Sequence, residues 1–200
     1  MSNKKDVYSF FVNFGIRKCV SGEYEEAKNL LNIGLEALNN PNMLDDETIK
    51  KGLFSRGVSF LRLKNYELAE NDFSDILEFN PNYLPALYGK AISLFKLKQY
   101  KNAIAPFEQF LDLSSDIITK TKLSAYYKLM ICYDNTQNYL NAKRTAEIII
   151  QINPNLIEPL KCLSKYYYNE KQWTELKNVV ETLICHISNS KNNDPTITLY

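Results

Sequence analysis

A chain of 200 residues, 45% hydrophobic and 24% charged, has an ordinary globular composition and the length for one domain or two small ones. Its 24 Lys and Arg against 23 Asp and Glu leave a formal charge of +1, so no global field draws it to nucleic acid or to an anionic membrane. No apolar run is long enough for membrane insertion, and Asn13, Arg17 and Lys18 interrupt YSFFVNFGIRKCV where a secretory signal needs continuity. Cys19, Cys132, Cys162 and Cys185 form no C-x-x-C pair, which points to free thiols in a reducing, cytoplasmic setting.

Five aromatic residues, Tyr24, Tyr66, Tyr100, Tyr139 and Trp173, are each followed three positions on by Ala27, Ala69, Ala103, Ala142 and Leu176. Their gaps of 42, 34, 39 and 34 residues mark an internal repeat of solenoid length. In the first copy Phe11, Gly15 and Lys18 precede the aromatic. A loop, LNNPNMLDDE, then leads to the second copy, where Leu53, Gly57 and Phe60 share one helical face. The short polar stretch LKNY turns the chain into a second helix carrying Ala69, Phe73 and Ile76, which Pro81 ends. Asn82 is expected to cap the next helix.

The third copy repeats the scheme with Leu87, Ala91 and Leu94, then Ala103, Phe107 and Phe110; Pro106 lies inside its second helix and should kink it at a cost of about 3 kcal/mol. SSDIITKT is expected to lengthen the following helix, with Ser114 or Ser115 as its cap. In the fourth copy Met130 stands where the other copies have a small residue. Pro154 ends that unit, and Asn155 with Glu158 reads as a capping box for the fifth. The predicted organisation is one array over residues 1–188, with units at about 8–39, 50–83, 84–116, 123–156 and 157–188, and a flexible tail at 189–200. Solenoid ends need capping. The last helix therefore either exposes Val179 or Ile184 to another chain, or the tail folds back over it, or the tail stays disordered.

The set Gly57, Phe60, Tyr66, Ala69, Phe73 and Pro81 resembles the tetratricopeptide repeat, a helix-turn-helix unit of about 34 residues. The third copy matches through Ala91, Leu94, Tyr100, Ala103 and Phe107, whereas the first, fourth and fifth have Leu31, Ala146 and Val180 at the large aromatic position. The resemblance implies an all-α fold, an α-solenoid of antiparallel helix hairpins forming a right-handed superhelix. Its concave face, lined by the first helix of each unit, would bind a peptide or helical segment of another protein.

A second stripe on the first helices is available for that role. It is expected to hold Phe54, Val58 and Arg62, then Tyr88, Gly89, Ile92 and Phe95, then Tyr127, Lys128 and Ile131, then Lys161, Lys165 and Tyr168. Val12 falls on it in the first copy. Such a groove would run from apolar to basic and suit a partner with an apolar anchor and nearby acidic residues. The competing structural role for Phe54, Val58, Tyr88 and Ile92 is packing between neighbouring first helices.

The chaperone-tail clamp known in part of the family is not reproduced, because Phe54, Val58, Gly89 and Ser124 stand at its positions and only Lys128 approximates it. GLFSRGVS lacks the lysine of a phosphate loop and sits inside a helix. His186 is the only histidine, which removes a His-based triad and multi-histidine metal sites. Glu67, Glu70, Asp72, Asp75 and Glu78 read as a solvated convex face, and Lys120, Lys122, Lys128, Lys143 and Arg144 make too small a basic patch for nucleic acid. No catalytic residue, cofactor or metal is expected. The chain reads as a non-enzymatic scaffold or adaptor; the alternatives are a homo-oligomer assembled through its C-terminal repeat, or a co-chaperone working without the clamp.

Overall fold

The computed structural model describes residues 2–39, 43–115 and 119–192. Among them are ten α-helices and no strand: α1 (Ser2–Val20), α2 (Tyr24–Leu35), α3 (Asp46–Arg62), α4 (Tyr66–Phe79), α5 (Leu84–Lys96), α6 (Tyr100–Leu113), α7 (Lys120–Asn135), α8 (Tyr139–Ile152), α9 (Ile157–Asn169) and α10 (Trp173–Asn192). A short 3-10 turn, Glu36–Asn39, follows α2. The fold is an all-α solenoid of helix hairpins, and each repeat aromatic is the first residue of its second helix.

One backbone device closes all five hairpins. Two residues before each aromatic the chain turns left-handed, at Gly22, Lys64, Lys98, Gln137 and Lys171, with φ of 85, 64, 60, 61 and 57°. The amide of Asn65 donates to the carbonyl of Phe60 at 2.8 Å and that of Lys64 to Leu61 at 3.2 Å, and the same pair of bonds recurs in the other four turns. This is the Schellman arrangement, which satisfies carbonyls a helix end leaves open. Only the first copy uses glycine there; the other four hold a side chain in a conformation unfavourable by about 1–2 kcal/mol.

The chain divides into two compact units, Met1–Ser114 and Ser115–Tyr200. In the first, α1 to α6 pack in sequence, and the first helices also touch one another, α1 on α3 and α3 on α5. Its core holds Leu31, Leu53, Phe73, Ile76, Leu87 and Phe107, all fully buried. Arg56 ties three helices together: its guanidinium donates to both carboxylate oxygens of Asp72 on α4, at 2.7 and 3.0 Å, and to Asn32 Oδ1 on α2 at 3.2 Å. Asp72 thus belongs to the interior and not to the solvated face expected of it, and Glu70 pairs with Lys90. Burial raises the Asp72 carboxyl above the ordinary range although Arg56 opposes the shift.

In the second unit α7 to α10 pack in sequence and α7 also touches α9. Its core includes a cluster of Met130, Ala146, Ile149 and Leu163, with Ala125, Leu129, Cys132 and Leu160 also buried.

Several helix boundaries differ from expectation. α3 starts at Asp46 inside the presumed loop, because the Asp45 carboxylate accepts from the Thr48 amide at 2.8 Å and caps it. α7 is indeed longer than α5, 16 residues against 13, but its cap is Thr119, which accepts from the Lys122 amide; Ser114 closes α6 instead. Neither Asn82 nor Asn155 caps a helix, since Tyr83 and Leu156 occupy the N-cap positions without side-chain bonds. Asn82 accepts from Gln109, and Glu158 binds Lys161 rather than completing a capping box. α6 continues through Pro106 as one helix, and α10 runs to Asn192. The expected tail from 193 onward lies outside the described residues.

Because four turns strain a non-glycine residue, replacing Lys64, Lys98 or Gln137 with glycine should stabilise the fold by about 0.5–1 kcal/mol each, the relieved strain exceeding glycine's larger unfolded-state entropy. Chemical denaturation of the single variants measures this. Replacing exposed Glu108, inside α6, with glycine should instead destabilise by about 0.5–1 kcal/mol.

Candidate functional site

The stripe predicted on the first helices divides between the two units. In the first unit most of it is engaged in packing. Phe54 is half-buried, its ring 5.9 Å from Phe73 and 6.1 Å from Tyr83. Tyr88 lies 5.0 Å from Phe110 and 6.4 Å from Phe107, and Val58 and Ile92 are also half-buried. Phe95 meets Tyr100 edge-on at 5.7 Å, while exposed Arg62 covers the ring of Tyr24 at 5.9 Å. Two members leave the surface altogether. Val12 is fully buried, and Gly89 lies under the ring of Phe73.

The second unit is different, because Tyr127, Ile131, Lys161 and Lys165 converge on one open cleft between α7 and α9. The cleft has a volume of about 200 Å³, and Met130, Asp134, Glu158 and Cys162 complete its lining. Two consecutive helical turns on each helix supply these residues, at spacings of three and four that keep them on one face. Tyr127, Met130, Ile131 and Cys162 make the floor apolar. The rim carries two ion pairs: Lys165 to Asp134 across the cleft at 2.6 Å, and Lys161 to Glu158 along α9 at 2.8 Å. Lys165 also lies 5.2 Å from the ring of Tyr139.

These pairs correct the expected gradient from apolar to basic. Two lysines and two carboxylates balance at the rim, and Lys128 is turned onto Ser124. Asp134 raises the Lys165 ammonium above its ordinary value by its hydrogen bond, and burial lifts the Tyr127 phenol, helped by Glu158. Tyr168, the last member of the stripe, is exposed and meets Trp173 edge-on at 6.0 Å.

Met130 lies outside the predicted stripe, although its bulk at a position that is small in the other copies is an available signal. In the first unit the ring of Phe73 is lodged against Gly57 and Gly89. In the second, the corresponding residues are Ala146, Met130 and Cys162. Volume has moved from the second helix onto the first helices, which brings a thioether and a thiol to the cleft floor. Burial pushes the Cys162 thiol up to about 11, with Asp134 adding to the shift. Among the described residues no cluster of His, Cys, Asp or Glu has the makings of a metal site, and no helix is long and apolar enough to cross a membrane.

The thiolate is the form that alkylates, so Cys162 should react with iodoacetamide at neutral pH far more slowly than a thiol of ordinary acidity. Its rate should climb until pH approaches 11. Peptide mapping by mass spectrometry across a pH series measures this, with a free thiol peptide as standard.

The family model described as tetratricopeptide repeat matches residues 85–116 and 124–155. No curated protein matches the sequence significantly. Among solved structures, MamA (residue 41 to the end) from Desulfovibrio magneticus RS-1 aligns with a TM-score of 0.70 and 22% identity, over 94% of this chain and 98% of that one. A MamA RS-1 double mutant gives a TM-score of 0.71 at 23% identity, with the same coverage of both chains. YrrB, described as a TPR protein with an unusual peptide-binding site, gives 0.71 at 16% identity over 88% of this chain and 84% of that one. At these identities the likeness is one of fold.

Proposed function

We propose that this chain, a tetratricopeptide-repeat protein, is a non-enzymatic scaffold that holds a segment of a partner protein in the cleft between α7 and α9. The observation that carries this reading is the cleft's composition: an apolar floor of Tyr127, Met130, Ile131 and Cys162 inside a rim of two ion pairs. A floor of this kind accepts one or two apolar side chains, and the methionine adapts its shape to them. The described peptide-binding site of YrrB, on the same fold, is consistent with it.

The rim decides which segments fit. A strongly acidic peptide gains little from lysines already neutralised by Asp134 and Glu158, and it would have to displace those carboxylates. The favoured ligand is a short segment with an apolar anchor and little net charge, bound with weak dependence on salt. In the first unit Phe54 and Tyr88 act through packing, so Tyr127 and Ile131 carry the recognition.

Selection from a displayed library of random peptides tests this. Enriched peptides should share a large apolar residue, and Ile131→Asp should abolish their capture while the variant keeps its helical circular dichroism, with a melting temperature lowered by the charge at this half-buried position. Equal capture by wild type and Ile131→Asp, or enrichment of polyacidic peptides, would contradict the assignment.

A further inference from the structure

We propose that the outer faces of α10 and α1 are two halves of one interface, which joins the C-terminal hairpin of one copy of this chain to the N-terminal hairpin of a second copy. Within the units α2 receives α3, α4 receives α5 and α8 receives α9. α10 carries the receiving surface of α8 over again. Trp173, Lys177, Val180 and Glu181 stand where Tyr139, Lys143, Ala146 and Glu147 stand on α8. Even the ion pair recurs, with Lys143 to Glu147 at 3.7 Å and Lys177 to Glu181 at 3.8 Å.

On α8 this surface is covered. Ala146 is 0% exposed, and Lys143 is capped by the rings of Tyr166 and Tyr167 from α9 at 4.9 and 5.2 Å. On α10 it is open: Trp173 is 59% exposed, Val180 37% and Ile184 58%. α1 shows the converse, with Phe10 62% and Val20 85% exposed.

The α2–α3 joint supplies the register between these halves. There Gly52 of α3 lies against Leu35 of α2, and Arg62 covers Tyr24. Phe10 and Val20 hold the positions of Gly52 and Arg62 in the first copy, while Ile184 and Trp173 hold those of Leu35 and Tyr24 in the fifth. Docking α1 on α10 in this register sets Phe10 on Ile184 and Val20 on Trp173. The exposed apolar residues of the two faces thus meet pairwise, continuing an interface the chain already makes. Arg17 then takes the place that Tyr166 holds over Lys143, against the Lys177–Glu181 pair. Such contact is head-to-tail rather than two-fold symmetric.

Sedimentation velocity of the full chain tests this, over a series reaching roughly 1 mM so that weak association registers. Wild type should gain mass with concentration, and Phe10→Asp and Ile184→Asp should each be monomeric. Mixed in equal amounts the two variants should form a complex of twice the chain mass, because one retains an intact α10 face and the other an intact α1 face. Should either variant lose its helical circular dichroism, Val20→Lys and Trp173→Ala replace the pair. A monomeric wild type at the highest concentration overturns the proposal. So does a mixture that stays monomeric, or dissociation by Ile184→Asp with no effect of Phe10→Asp, which would mean α10 pairs with α10.

Discussion

The ring of Phe73 filling a notch between two glycines is the contact on which the arrangement of the first unit rests. Phe73 belongs to α4, Gly57 to α3 and Gly89 to α5. A β-carbon on Gly57 would stand 3.0 Å from the ring and one on Gly89 only 2.6 Å from it. One fully buried side chain therefore fixes how closely three helices approach, and its transfer from water is worth about 1.5–3 kcal/mol. Arg56 and Asp72 flank it as a bidentate pair, so the same joint carries both a fully buried ring and a largely buried charge pair. That pair gives geometry more than stability, since desolvating two charges offsets most of their attraction.

The second unit lacks this ring and is built differently as a result. Ala146 leaves room beneath the first helices, and Met130 and Cys162 fill it from above. The bulk at this joint thus belongs to α7 and α9, which also line the cleft. A binding surface floored by soft, adaptable side chains is thus a consequence of moving volume between helices. The left-handed turns make this exchange possible, because the hairpin is held by backbone bonds common to all five copies whatever packs beneath them.

Much of this is legible in the sequence, for identifiable reasons. The aromatic ruler locates the start of every second helix because the turn before it has a fixed length, and Pro81 and Pro154 fall just past the ends of α4 and α8. The turn's left-handed residue is not legible, since Lys64, Lys98, Gln137 and Lys171 carry no glycine signal and only Gly22 betrays the position. Asn82 and Asn155 mislead as caps because they have the right chemistry, while backbone carbonyls begin those helices unaided. The stripe on the first helices emerges from periodicity, which gives a face and not its neighbours; so Val12 and Gly89 read as surface positions although adjoining helices cover them. Charges are least legible, because the pairing of Lys165 with Asp134 spans 31 positions that no local pattern connects.

The ring-in-notch contact is tested most directly by equilibrium unfolding of Gly89→Ala, alone and combined with Phe73→Leu. Helix propensity by itself favours alanine over glycine by about 1 kcal/mol, whereas overpacking against a rigid ring costs about 1–3 kcal/mol. The predicted result is a net loss for Gly89→Ala in the wild-type background and a gain in the Phe73→Leu background, where the shorter side chain vacates the notch. Two additive effects, or a stabilising Gly89→Ala in both backgrounds, would contradict the central place given to this contact.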